Sequence, residues 1–182
     1  MRIYIVYCSQ TGFTEKYAKW LADDLNTAAV PYAERNKLDL SNIDLLVFCS
    51  WFHAASIKGA NWLKKIIQEH PSLHVAVLAT GATPMPCEMW PASEVEKAFE
   101  RTFPKGDYPD LPHFYCHGGF DYDRLSLPGK MAMKMFFKMN AKAAETDPKA
   151  EGMLCVMGDG FDGTNRDYLA PLLEYVKGLE EK

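Results

Sequence analysis

The stretch Ile3-Tyr4-Ile5-Val6-Tyr7-Cys8-Ser9-Gln10-Thr11-Gly12-Phe13-Thr14 decides how the rest of the chain reads. It is a short apolar strand that stops at Cys8, then a tight loop of hydroxyls with one glycine, then the start of a helix. The first N–H groups of a helix have no intrahelical partners and sit at the positive end of its dipole, so a phosphate placed there accepts several hydrogen bonds without needing a lysine or arginine. Ser9, Thr11 and Thr14 add hydroxyls, Gly12 permits close approach or positive φ, and no acidic side chain precedes Glu15. Ser9 or Thr11 serving only as a helix cap accounts for the same residues.

Outward from this loop, Phe13, Tyr17, Trp20, Leu21 and Leu25 recur at helical spacing and predict a helix over 12–26. A short edge strand is expected over 32–35. Leu45-Leu46-Val47-Phe48-Cys49 is a continuous apolar run of the kind buried on both faces, and it opens into a second loop, Ser50-Trp51-Phe52-His53-Ala54-Ala55-Ser56. A helix over 59–68 and a strand over 74–79 follow. The third loop runs from Thr80-Gly81-Ala82 to Trp90 and contains Pro84 and Pro86. Ser93 with Glu96 reads as a capping box for the next helix, and a strand is expected over 114–117. Strand, loop and helix in repeated order imply an α/β fold with a mostly parallel sheet, whose ligand sits outside the carboxyl ends of the strands. The three loops converge there.

Residues 118–150 interrupt this alternation. Lys130, Lys134, Lys138 and Lys142 recur every four residues beside Met131, Met135, Phe136, Phe137 and Met139, which is an amphipathic helix. The chain closes with a strand over 153–157, a glycine-rich turn over 158–163 and a helix from about residue 164. Gly158-Asp159-Gly160-Phe161-Asp162-Gly163 satisfies a dinucleotide-binding pattern. Such a fold is expected to continue past the next helix into a further strand that carries an acidic residue, where this chain instead ends, and Asp159 and Asp162 would face the phosphates.

At 182 residues, 48% hydrophobic and a formal charge of −4, the chain fits one ordinary domain, 1–182, and carries no electrostatic footprint for nucleic acid. Five dispersed cysteines without a CxxC suit reduced thiols, and no apolar run approaches the roughly 20 residues of a spanning helix. A cytoplasmic protein is expected. His113 and Cys116-His117 lack a second ligand pair, so packing is preferred over a metal site or a catalytic thiol. His53, Trp51, Phe52 and Trp90 stand beside strand ends, where an aromatic ring would find flat walls.

Strand-Ser9-Gln10-Thr11-Gly12-Phe13-Thr14-helix resembles the phosphate loop of flavodoxins, and the later loops match in spacing. The resemblance implies a three-layer, doubly wound α/β fold with five parallel strands ordered 2-1-3-4-5 and a helical insertion near 121–145. It also implies an FMN cofactor. The phosphate would rest on Ser9, Gln10, Thr11, Gly12, Phe13 and Thr14, and the ring between Ser50, Trp51, Phe52, His53 and Ala54 on one side and Thr80, Gly81, Ala82 and Trp90 on the other. Gly119-Phe120-Asp121-Tyr122-Asp123-Arg124-Leu125 and the Met/Lys-rich helix are similar to the flavodoxin-domain group that includes the menaquinone-dependent protoporphyrinogen dehydrogenases. This implies an oxidoreductase with a small-molecule or quinone partner and porphyrinogen oxidation among the candidate reactions. The lysines beside Met and Phe over 128–143 suit peripheral contact with the inner face of an anionic membrane, and a helix packed on the domain with its lysines solvated accounts for the same pattern. An electron carrier with redox-protein partners and a flavin-free binding module are the alternatives. The alanines at 54 and 55, where relatives commonly place a glycine, and the modest acidity both favour the enzyme over the carrier.

Overall fold

Alternation along each strand builds the three layers seen in the computed structural model, which describes residues 1–53 and 56–181. In β3 (Leu45–His53), Leu45, Val47 and Cys49 point to one face of the sheet and Leu46 and Phe48 to the other, all fully buried. The first set joins Ile3 and Ile5 of β1 (Ile3–Tyr7) and Ala76 and Leu78 of β5 (His74–Gly81). They pack against Tyr17, Ala18 and Leu21 of α1 (Phe13–Asp24) and Leu172 and Val176 of α6 (Ala170–Glu180). The second set packs against Ala60, Leu63 and Ile66 of α2 (Ala60–Glu69) and Phe99 of α3 (Ala92–Thr102). Both faces are therefore apolar, which is why these strands read as unbroken hydrophobic runs.

The sheet order is β2-β1-β3-β5-β6, all parallel, with β2 at Ala29–Pro31 and β6 at His113–His117. Counting the five parallel strands along the chain, this is 2-1-3-4-5, as expected. Winding reverses between β1 and β3, so a crevice opens at their carboxyl ends.

Several local expectations are corrected. The edge strand ends at Pro31, and 32–37 form a 3-10 helix instead. Tyr32 turns inward there onto Phe48 and Trp62. β3 runs through His53 and folds back as β4 (Ser56–Ile57), so Ser50, Trp51, Phe52 and His53 belong to a strand rather than a loop. Aromatic residues favour that extended backbone. β5 likewise continues through Thr80 to Gly81. No capping box forms on α3: Pro91 occupies the cap position, which leaves Ser93 inside the first turn. The last helix starts at Ala170, after a 3-10 turn at Arg166–Leu169.

The insertion is longer than its sequence pattern. It comprises α4 (Leu127–Ala144) and α5 (Pro148–Asp159), closed at its base by an antiparallel ribbon of β7 (Gly119–Phe120) and β8 (Phe161–Asp162). The strand expected over 153–157 is thus helix. Asp147 caps α5 by accepting from the Lys149 N–H, and Pro148 is preset for the first helical position. On α4, Phe137 turns toward Phe120, whereas Met131, Met135 and Met139 form a stripe that is 65–73% exposed. Among the described residues, no helix is long and apolar enough to cross a membrane.

Candidate functional site

The loop after β1 is shaped by Gly12, the N-cap of α1, whose φ of 97° lies in the left-handed region open to glycine. Its N–H donates to Ser9 Oγ at 3.1 Å, which draws the loop into a turn, and no side chain caps the helix itself. The first intrahelical bond of this turn runs from Lys16 N–H to Gly12 C=O, so the N–H groups of residues 13–15 point out of the helix end without intrahelical partners. Glu15 is turned away and held by Lys19 at 2.6 Å. The result is a concave donor set at the positive end of a helix.

The residues expected at this loop divide into two groups. Ser9, Gln10, Thr11 and Gly12 form its rim. Phe13 is drawn aside by close contact with Gly118 and Gly119, where a β-carbon at 119 would overlap its ring. Thr14 is only 2% exposed, and its hydroxyl shares a 2.7 Å hydrogen bond with Thr80 Oγ1. Thr80 in turn reaches Ser50 C=O at 3.4 Å, while Ser50 Oγ donates to Lys58 C=O at 2.6 Å. These three hydroxyls fasten α1, β3 and β5 together beneath the crevice.

Above them, Trp51 and His53 share one side of β3, with ring centroids 5.1 Å apart, and Phe52 leans the other way onto Tyr115 at 6.2 Å. Tyr115 donates to Thr83 C=O at 2.5 Å and so holds the start of the third loop beside Gly81 and Ala82. Trp90 closes that loop, with reciprocal backbone hydrogen bonds between residues 87 and 90 and the Lys149 ammonium 4.0 Å from the centre of its ring. Ala54, also expected at the cofactor, and Ala55 lie outside the described residues.

The flavodoxin domain model matches residues 4–147. The chain belongs to the flavodoxin domain family. Among curated proteins no significant match was found. Among solved structures, the Trp repressor binding protein from Bacillus subtilis is 12% identical, with 64% of this chain and 85% of that one covered and a TM-score of 0.44. A variant of the flavo di-iron protein from Thermotoga maritima is 18% identical, covering 64% and 30% respectively, with a TM-score of 0.35. Both scores fall below 0.5, and the family assignment rests on the sequence match.

Membership in the flavodoxin family implies a flavin cofactor, and the donor set after β1 fits a phosphate group: backbone N–H groups, hydroxyls and a glycine cradle, with the neighbouring Asp121 and Asp162 carboxylates paired to Arg124 and Lys16. In this flavodoxin domain the thiols near the sheet are unsuited to nucleophilic attack. Burial pushes Cys116 up to about 12 and raises Cys8 as well, so both stay protonated at neutral pH. His113 is a packing residue, stacked on Phe99 at 3.8 Å and paired with Glu96 at 2.9 Å. His117 sits at the end of β6 with its Nε2 buried and, among the described residues, unpartnered, and burial lowers its pKa.

Sequence reasoning missed Arg124 and Lys149, because both reach the crevice from the insertion. Arg124 Nη1 donates to Thr11 C=O at 3.1 Å, and Lys149 forms an ion pair with Glu94. A basic residue amid an insertion's surface charges carries no signal of which distant loop it touches.

Proposed function

We propose that this chain is an FMN-dependent oxidoreductase. The observation that carries the reading is the family match over residues 4–147 together with an uncapped helix start at the reversal point of the sheet. Ser9, Gln10, Thr11, Gly12 and the backbone of residues 13–15 bind the phosphate. Trp51, Phe52 and His53 on one side, and Gly81, Ala82 and Trp90 on the other, orient the ring and exclude water. Ser50, Thr14 and Thr80 hold those walls in register through their buried hydroxyl chain. When bound, the flavin supplies electron or hydride transfer. The purified protein should be yellow and release flavin on denaturation. A protein that stays colourless after incubation with FMN refutes the proposal.

For the reaction, similarity of 119–147 to the group with menaquinone-dependent protoporphyrinogen dehydrogenases supports oxidation of a porphyrinogen with a quinone as acceptor. An assay of porphyrinogen oxidation with a quinone tests this. Absence of turnover, with reduction by a redox protein instead, would favour the electron carrier.

Peripheral membrane contact is part of the same reading, supported by the exposed methionine stripe of α4 beside Lys130, Lys134, Lys138 and Lys142. A helix with apolar side chains flanked by lysines suits an anionic lipid surface. Cosedimentation with phosphatidylglycerol vesicles, lost in Met135→Glu, is the expected result. Equal binding by both proteins removes this contact from the reading.

A further inference from the structure

We propose that Arg124 is the cation that pairs with the flavin's phosphate, and that residues 121–126 form a strap over the phosphate loop; this rests on the flavin reading and extends it. The loop after β1 has no cation of its own. The nearest lysines of α1 are committed elsewhere: Lys16 to Asp162 at 2.9 Å and Thr164 at 2.6 Å, and Lys19 to Glu15. Arg124 instead comes from a segment 113 residues away in the chain and lays its guanidinium on the loop, 3.1 Å from Thr11 C=O. The same nitrogen lies 3.1 Å from where a β-carbon of Gly12 would stand, so the missing side chain leaves room for the guanidinium at the helix end.

The strap is itself organised. Asp121 accepts backbone N–H groups from Asp123 at 3.0 Å and Arg124 at 3.3 Å, and its other oxygen pairs with Arg124 Nε at 3.0 Å. That pair holds the guanidinium and offsets the Asp121 carboxylate, while Asp123, which lines the same cavity beside Gly12, is exposed. Gln10 Nε2 meets Ser126 Oγ at 3.5 Å, a second tie between loop and strap. One Nη donor is spent on Thr11 and the Nε on Asp121; among the described residues the other N–H groups have no partner and can meet a phosphate, and the side chain is 65% exposed. A planar guanidinium offers parallel donors to phosphate oxygens, and it discriminates a phosphate ester from the same molecule without it.

Flavin fluorescence titrations with FMN and with riboflavin separate this role from a structural one. Arg124→Ala should weaken FMN by about tenfold or more, as loss of a charge-assisted hydrogen bond predicts, and leave riboflavin within about twofold. Arg124→Lys should recover part of the FMN affinity, and the salt dependence of FMN binding should flatten in Arg124→Ala. An unchanged ratio of FMN to riboflavin affinity in Arg124→Ala overturns the assignment, including the case in which both weaken equally because the strap only packs. Wild-type protein that binds neither flavin overturns the flavin reading and this assignment with it.

Discussion

Replacing Thr14 by valine tests whether its hydroxyl is a structural tie rather than a cofactor ligand. The 2.7 Å contact to Thr80 Oγ1 is at the optimal length for two hydroxyls, and both residues are 2% exposed. In Thr14→Val, Thr80 keeps Ser50 C=O within 3.4 Å, so no donor is orphaned and the cost should be about 1 kcal/mol. Thr80→Val strands the Thr14 hydroxyl and should cost about 1–2 kcal/mol. The double variant should then lose less than the sum, with a coupling of about 1 kcal/mol. Urea unfolding of the apoprotein reads this directly, since 1 kcal/mol moves the midpoint by about 0.3–1 M at ordinary slopes. Additivity within about 0.3 kcal/mol would refute the tie. A carboxylate at this buried position, as in Thr14→Asp, would cost several kcal/mol in folding whether or not a phosphate binds nearby.

Tyr17→Phe removes a hydroxyl that donates to His117 C=O at 2.7 Å and accepts from Asn165 N–H at 3.0 Å, so denaturant unfolding should show a loss of about 1–3 kcal/mol. Because burial holds the folded His117 imidazole below its ordinary value, the unfolded chain takes up the proton first. The His117 contribution should therefore be intact above pH about 6.5 and decline as pH falls from there toward the folded pKa. Comparing urea midpoints of wild type and His117→Phe between pH 7.5 and 5 isolates this slope; parallel curves would contradict it. On the proposed placement of the ring against Trp51, Trp51→Ala should weaken FMN and riboflavin alike and leave the phosphate loop intact, and fluorescence titration distinguishes that pattern from the phosphate-selective loss expected at Arg124.

What could be read in advance follows from what is local. The runs at 45–49 and 74–79 are apolar on consecutive residues because helices cover both faces, and that pattern needs no knowledge of partners. The amphipathic spacing of α1, α2 and α4 is similarly self-contained. The apolar run 153–157 reads as a strand because periodicity alone does not separate a short strand from a helical segment, and Asp147-Pro148, the start signal that decides it, lies several residues upstream. At the candidate site, the composition of the loops is legible but the side-chain commitments are not. Thr14 and Thr80 are 66 residues apart, and Arg124 reaches Thr11 across 113, so only the folded chain reveals which hydroxyl is spent and which cation arrives.

Helix α4 has no buried residue, although it spans 18 positions between two elements that grip the crevice rim. Its main contacts are with α5, and Phe137 meets Phe120, so its release would leave the sheet and its four flanking helices whole. Such a segment is a separate opening unit, with a free energy far below that of global unfolding. Its amides should exchange with solvent long before those of β3. A protease should cut first within 127–144 and leave a nicked protein with its core intact.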